Sequence, residues 1–308
     1  MRRLLDGVLL LDKPVGLGSN AALQAAKRLY RAQKAGHAGT LDPLASGLLP
    51  IMFGEATKFS QLVLDADKEY LARARLGVTT RTGDAEGEVL ERRPVQVDAA
   101  AAERALPAFR GEIEQVPPMF SALKHRGRPL YVLARRGESV TRAPRRIHVH
   151  ALEMLGMEED TLELRVRCSK GTYIRTLVED IGSALGCGAH LVSLRRVAAS
   201  GFRIEEAVTL DAVQEVGEEG RDRFLLPLDR LLEVLPRLDL PDALADRFAR
   251  GQAIALAQAP AGRFRVYRDR GALLGVAEAG RDGLLHPRRL LATRPEAAQA
   301  AEKHQKNL

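Results

Sequence analysis

The residue in this sequence best suited to do chemistry is Asp42. It lies in Gly36-His37-Ala38-Gly39-Thr40-Leu41-Asp42-Pro43-Leu44-Ala45-Ser46-Gly47-Leu48-Leu49-Pro50, where His37 is the one other ionisable side chain. Pro43 steers Asp42 away from helical angles, and Gly36, Gly39 and Gly47 open angles closed to other residues, which predicts a tight loop of specified shape. A carboxylate isolated in such a loop suits nucleophilic attack or proton abstraction. Desolvation by the apolar surroundings would raise its pKa and silence it, so it requires a cation nearby. An ordinary Asp-Pro turn opener is the plainer alternative.

Arg175 is the next unusual side chain. Thr161 to Ser169 alternates, with Leu162, Leu164, Val166 and Cys168 on one face, and predicts a strand with Cys168 in the core. After Gly171, Thr172 is placed to cap a helix carrying Ile174, Leu177, Val178, Ile181 and Leu185 on one face, with Gly186 at its end. A helix start already carries partial positive charge, so Arg175 adds nothing to helix stability there and should meet an anion, unless it merely faces solvent.

Other segments form the scaffold. Gly7 to Asp12 reads as a buried strand, and Ser19 or Asn20 can cap a helix through Tyr30. Lys68 to Leu76 alternates, with Tyr70, Ala72, Ala74 and Leu76 on one face, and Asp98 is placed to cap an alanine-rich helix ending near Leu106. Without regular βαβα alternation, the pattern predicts an α+β fold with a mixed, largely antiparallel central sheet. Gly16-Leu17-Gly18-Ser19-Asn20-Ala21 fits a permissive dinucleotide-binding fingerprint with Asp42 about 20 residues on. Lys13-Pro14 interrupts that junction, and Asp42 sits in a loop where the fingerprint needs a strand end.

Positive charge concentrates in one segment: Lys124, Arg126, Arg128, Arg135, Arg136, Arg142, Arg145 and Arg146 are opposed by Glu138 alone. Gly127, Pro129, Gly137 and Pro144 break it into short pieces, which predicts an exposed insertion whose cations reach phosphates. The whole 308-residue chain carries a net charge of +7, which favours a polyanionic partner. Its length suggests a large domain and a small one. Two cysteines are too few for a disulfide framework, which fits a reducing cytoplasmic setting, and no apolar run is long enough to span a membrane. The histidines are scattered and show no metal-ligand spacing, and His148 and His150, though on one strand face, lack a third ligand. No Walker-type phosphate loop is present, so neither metal nor cofactor is expected.

Gly36 to Pro43 followed by Gly54-Glu55-Ala56-Thr57-Lys58-Phe59 resembles the bacterial tRNA pseudouridine synthase B (TruB) family. Leu9-Leu10-Leu11-Asp12-Lys13-Pro14, Phe120-Ser121-Ala122-Leu123-Lys124, Cys168 to Arg175 and Gly186-Cys187-Gly188-Ala189-His190-Leu191 follow in the family's order, covering most of residues 7 to 200. The resemblance implies a pseudouridine-synthase fold over residues 1–235, with a mobile basic thumb at about 118–147. A β-rich, PUA-like RNA-binding domain would follow at 236–294, then a polar tail at 295–308. It implies isomerisation of uridine to pseudouridine at position 55 in the T loop of tRNA, with no cofactor, in the cytoplasm, by a monomer.

Residue by residue, the family pattern makes Asp42 the catalytic carboxylate and Arg175 its partner. Tyr70 would stack on a flipped-out base, where it is available for proton transfer, and His37 would fill the gap that the base leaves. Leu194 would line the pocket, and Lys58 and Asp84 would support or contact RNA. Three roles suit the carboxylate: attack on the base, attack on C1′, or removal of the C2′ proton. The family commonly has threonine at Ala38 and alanine at Thr40; neither change removes a proposed catalytic group. A non-catalytic RNA-binding or folding protein is the rival reading.

Overall fold

The computed structural model describes residues 2–256, 261–269 and 271–292. The expected tail at 295–308 lies outside them. In chain order the first part contains β1 (Gly7–Lys13), α1 (Ser19–Leu29), β2 (Ala35–His37), β3 (Ala45–Phe53), α2 (Ser60–Asp65), β4 (Lys68–Leu76), β5 (Val78–Thr80) and β6 (Val89–Arg92). Next come α3 (Ala99–Ala105), β7 (Gly111–Gln115), β8 (Lys124–His125), β9 (Arg128–Pro129), α4 (Leu130–Ala134), β10 (Arg145–Glu158) and β11 (Thr161–Cys168). Then follow α5 (Ile174–Ala184), β12 (Ala189–Ala199), β13 (Phe202–Arg203) and β14 (Leu225–Leu226).

A single large sheet organises these elements in the order β14-β1-β3-β12-β4-β11-β10-β7, with β13 on β12 and β2 on β3. Every pair is antiparallel except β3 with β12, so the sheet is mixed and largely antiparallel. The alternation of β4 does bury Tyr70, Ala72, Ala74 and Leu76, and Cys168 is fully buried as its strand parity requires. These side chains pack with Leu177, Val178 and Ile181 of α5 into one core under the middle of the sheet. That burial of apolar surface fixes the strands from which the site is built.

Two helix starts differ from the expected caps. Ser19 does not cap α1; its hydroxyl is engaged with both the amide and the carbonyl of Leu41, at 2.7 and 2.9 Å, and ties the helix to the Asp42 loop. Thr172 does not cap α5; its hydroxyl donates to the Ser169 carbonyl, and Gln115 takes over by accepting from the Tyr173 amide and donating to the Tyr173 carbonyl. At α1 a long-range partner takes the serine hydroxyl, whereas at α5 the threonine hydroxyl turns back three residues and the long-range Gln115 binds the helix entry, in both cases joining the helix start to another element. Asp98 caps α3 as expected, accepting from the Ala101 amide.

A second sheet, β15 (Arg237–Leu240), β16 (Ile254–Ala255), β17 (Gly262–Arg268), β18 (Leu273–Ala279) and β19 (Leu284–Leu290), runs in the order β15-β17-β18-β19-β16 around its own core with the helix Asp242–Ala249. This is a β-rich C-terminal module of the kind the resemblance implied.

Gly47 marks where the large sheet is tightest. Its φ is +101°, and a β-carbon there would lie 2.3 Å from the Arg196 carbonyl oxygen. Only glycine lets β3 and β12 approach this closely. Gly47→Ala should therefore cost about 2–4 kcal/mol of stability, measured by urea unfolding. A loss well under 1 kcal/mol would contradict this packing of the two strands.

Candidate active site

The loop between β2 and β3 brings Asp42 to the rim of a cleft of about 390 Å³, lined also by Tyr70, Arg175, Leu194, Arg196 and Lys68. β4 supplies Tyr70 and Lys68, β12 supplies Leu194 and Arg196, and the first turn of α5 supplies Arg175. Residues more than 150 positions apart in sequence converge because β3, β12 and β4 are adjacent strands.

Arg175 is 5% exposed and is held from four directions. Its guanidinium donates to the carbonyls of Thr82 and Phe120 at 2.9 and 2.7 Å. It meets the Asp42 carboxylate at 3.0 Å and the Asp84 carboxylate at 3.5 Å. The anion expected for this arginine is thus Asp42, with Asp84 behind it. Asp84 is 3% exposed, accepts from the Thr82 hydroxyl and the Glu86 amide, and is placed to support Arg175 where a contact with RNA was one of its expected roles.

The Asp42 side chain keeps 45% of its surface exposed, so its carboxylate is accessible. Burial nonetheless pushes its carboxyl above the ordinary range; Arg175 pulls it back without cancelling the shift, and Asp84 adds to the rise. The expectation that one cation would offset desolvation is therefore met only in part. The reason is that burial outweighs the attraction of Arg175, and the neighbouring Asp84 carboxylate adds to the rise.

Several cations accompany this acid. Lys13 is fully buried and donates to the carbonyls of Pro14 and Leu17, and Lys68 donates to those of Val63, Leu64 and Ala66; desolvation lowers both to about 8. Arg196 is 1% exposed, donating from Nε to the Leu48 carbonyl at 2.7 Å and from Nη1 to the Gly39 carbonyl at 3.0 Å. It pairs with Tyr70 across β12 and β4. Sequence reasoning missed Lys68 and Arg196. Lys68 shares the parity of Tyr70 and was legible in principle. Arg196 was not, because register shifts between Leu191 and Ser193 and between Arg196 and Ala198 break the alternation of β12.

The remaining expected residues are placed differently from one another. His37 ends β2, half-buried, with burial lowering its pKa and Nδ1 lacking a partner. Leu194 is half-buried on the cleft wall. Lys58 donates to Glu55 and to the Leu290 carbonyl, which ties the large domain to β19. In the basic segment, Lys124, Arg126 and Arg128 lie on an exposed β8–β9 hairpin, and Arg135 and Arg136 follow α4, Arg135 stacking 5.6 Å from the Tyr131 ring. Arg142 lies in the following coil. Arg145 and Arg146 belong to β10, where Arg146 pairs with Glu112, so the free insertion ends before them.

Among the described residues no group of three or more His, Cys, Asp and Glu side chains could hold a metal ion. His150 instead pairs with Asp67 at 3.0 Å and stacks on His148, as structural residues do.

Comparison with known proteins accounts for nearly all of the described chain. Residues 27–174 match the TruB family pseudouridylate synthase N-terminal domain, 175–233 the tRNA pseudouridylate synthase B C-terminal domain, and 236–291 the pseudouridine synthase II TruB C-terminal domain. The chain is 56% identical over 299 residues to tRNA pseudouridine synthase B of Burkholderia mallei (strain NCTC 10247), covering 95% of this chain and 99% of that protein. It is 53% identical to the protein of the same name from Aromatoleum aromaticum, covering 97% of each. Among solved structures it resembles that of an H/ACA RNP bound to a substrate RNA containing 2′-deoxyuridine, with a TM-score of 0.73 and 26% identity over 95% of this chain and 87% of that one. A Cbf5-Nop10-Gar1 complex gives a TM-score of 0.70 and 29% identity over 90% and 79%.

The charges around Arg175 give two titration tests. By carboxyl NMR, Asp42 should titrate above its ordinary 3.8, and Arg175→Gln should move it higher still. A midpoint at or below 3.8 would show that the guanidinium outweighs burial. Glu179, one turn beyond Arg175 and against Gly83, is pushed by burial up to about 7 from 4.5. The folded state holds that proton more tightly than the unfolded chain, so stability falls as pH rises from 4.5 to 7. Glu179→Gln should therefore be more stable than the parent to urea at pH 8 and no more stable near pH 4.

Proposed function

The chain belongs to the TruB family of pseudouridylate synthases and isomerises uridine in tRNA, and from that premise we propose that its target is the uridine at position 55 of the T loop, with Asp42 as the catalytic carboxylate. The observation that carries this reading is the 3.0 Å pairing of Asp42 with a buried Arg175 at the open edge of the cleft, beside Tyr70.

The reaction breaks the N1–C1′ bond, turns the base in place and joins C5 to C1′, with C5 giving up a proton and N1 gaining one. No net redox change is involved, so the residues in the cleft need only supply charge, a proton acceptor and position. Asp42 approaches the nucleotide as a carboxylate, either as nucleophile or as base, and Arg175 keeps it ionised and aimed. Tyr70 offers an aromatic face to the extruded base and an oxygen for the C5 proton. Stacking of this kind contributes about 1–3 kcal/mol, enough to offset much of the extrusion of one base. His37, at the end of β2 beside the loop, fills the vacated stack.

The exposed cations of the 118–144 segment grip the backbone of the T stem-loop as a thumb, and the C-terminal sheet is the PUA-like module that extends the RNA contact. Phe120, whose carbonyl accepts from Arg175, roots the thumb directly in the catalytic centre. The protein works as a monomer in the cytoplasm and needs no cofactor for these steps.

The decisive experiment is release of tritium from tRNA labelled at uridine C5. The wild type should release it without added cofactor, and tRNA carrying cytidine at position 55 should give none. Asp42→Asn should lose at least about 1,000-fold in rate while binding tRNA within a few-fold. Release by Asp42→Asn at the parental rate would remove Asp42 from the mechanism. Replacing Arg126 and Arg128 with alanine should weaken binding and lower the salt slope by about one for each phosphate no longer neutralised; an unchanged slope would sink the thumb assignment.

A further inference from the structure

Arg196 is a buried cation to which the steps of isomerisation assign no task. It is 1% exposed, and among the described residues no carboxylate lies within ion-pair distance of it. Nε and Nη1 are satisfied by the carbonyls of Leu48 and Gly39, but Nη2 is buried without a hydrogen-bond partner. An unpaired guanidinium in the interior is costly, and a fold that retains one at a cleft wall has a fixed positive charge available for an anion that forms there.

Two features locate that anion. Arg196 stands directly opposite Tyr70 in the β12–β4 ladder, and both line the cleft. The same guanidinium holds Gly39, three residues before Asp42, where a β-carbon would come within 3.1 Å of Nη1. One side chain therefore touches the catalytic loop and faces the phenol.

We propose that Arg196 is a positioning residue for the isomerisation, fixing the Asp42 loop through Gly39 and holding Tyr70 as the phenolate that removes the C5 proton through its free Nη2. This inference rests on the pseudouridine synthase reading and adds a residue to it. Once C5 is bonded to C1′, the C5–H bond breaks, its electron pair restores the ring double bond, and the proton passes to the Tyr70 oxygen. The resulting phenol then returns the proton to water. Arg196 remains charged throughout and acts through Tyr70 and the Asp42 loop, without contact with the nucleotide.

The charged and titratable groups around the pair are few. Tyr70 is raised by burial and drawn down by Arg196, with Cys168 from β11 and Asp42 from the loop opposing ionisation. Arg196 is itself lowered by burial and in turn disfavours protonation of Lys13, His37 and Lys68. Its charge is thus felt by Tyr70, Lys13, His37 and Lys68 alike.

The test uses the full-length enzyme, tRNA labelled at uridine C5, and kcat and KM measured between about pH 6 and pH 10. Arg196→Met removes the charge at similar volume and should lower kcat at pH 7 by at least about 100-fold with KM within threefold. It should also shift the rising limb of kcat upward by a pH unit or more. Arg196→Lys keeps the charge but gives up the fork, so the limb should stay in place while kcat falls about tenfold. Should the methionine variant fail to fold, replacement of Tyr70 by 3,5-difluorotyrosine in the wild type should move the limb downward.

Uniform loss of kcat with an unmoved limb in Arg196→Met would overturn the proposal, as would a rise in KM alone or an unmoved limb with difluorotyrosine. Absence of tritium release by the wild type would instead refute the synthase reading itself.

Discussion

The arrangement around Arg175 is the constraint on which the rest of the site depends. One guanidinium is shared among the carboxylates of Asp42 and Asp84 and the carbonyls of Thr82 and Phe120. Those partners come from the Asp42 loop, the turn after β5 and the stretch that leads into the basic segment. A planar fork with five donors can meet such divergent acceptors at once, whereas an ammonium at the same place would satisfy fewer of them in fixed directions. Asp84 is what makes this possible: a buried arginine whose one anion was the half-exposed Asp42 would lose its partner whenever that carboxylate turned away. With Asp84 behind it, Arg175 keeps an anionic partner whatever Asp42 engages.

The sheet provides the second half of the geometry. Because β3 and β12 run parallel while their neighbours are antiparallel, the strand that leaves the Asp42 loop lies next to the one that carries Leu194 and Arg196. Gly47 permits the close backbone approach, and Arg196 then reaches back to Leu48 and Gly39. The Ser19 hydroxyl fixes the same loop from the other side through Leu41. The loop has little regular structure of its own, and its shape comes from these long-range donors and acceptors, each of which would be left unsatisfied if the loop moved.

What could be read from the sequence follows from which signals are local. β4 and β11 showed their buried faces in strict alternation, and the lone acid in a glycine-rich loop pointed to Asp42 without any partner being visible. Arg175 stood out because a cation at a helix start is placed against the local field. The caps of α1 and α5 were misread because Ser19 and Thr172 satisfy the local rule by type, while their hydroxyls are used elsewhere. Arg196 was hidden by two irregularities in β12 that break the parity count. Local periodicity cannot report a bulge, and it cannot report that a cation is paired with backbone carbonyls when acids are the partners one looks for.

The balance of charge in the cleft bears on how it works when RNA closes over it. Lys68, Arg175 and Arg196 line the cleft together with Asp42, and the charge of buried Lys13 also reaches Asp42, so buried cations outnumber the acids there. A polyanionic substrate supplies the missing negative charge. RNA lying over the cleft would also exclude water from Asp42, whose side chain is 45% exposed, and desolvation alone would push its pKa further up. The same loss of water strengthens its attraction to Arg175, which is already within contact distance and needs no rearrangement. The carboxylate is kept ionised in the closed state only if that second effect prevails. The Thr82 and Phe120 carbonyls hold the guanidinium in place, so it stays beside Asp42 where a freer cation would be drawn toward incoming phosphates.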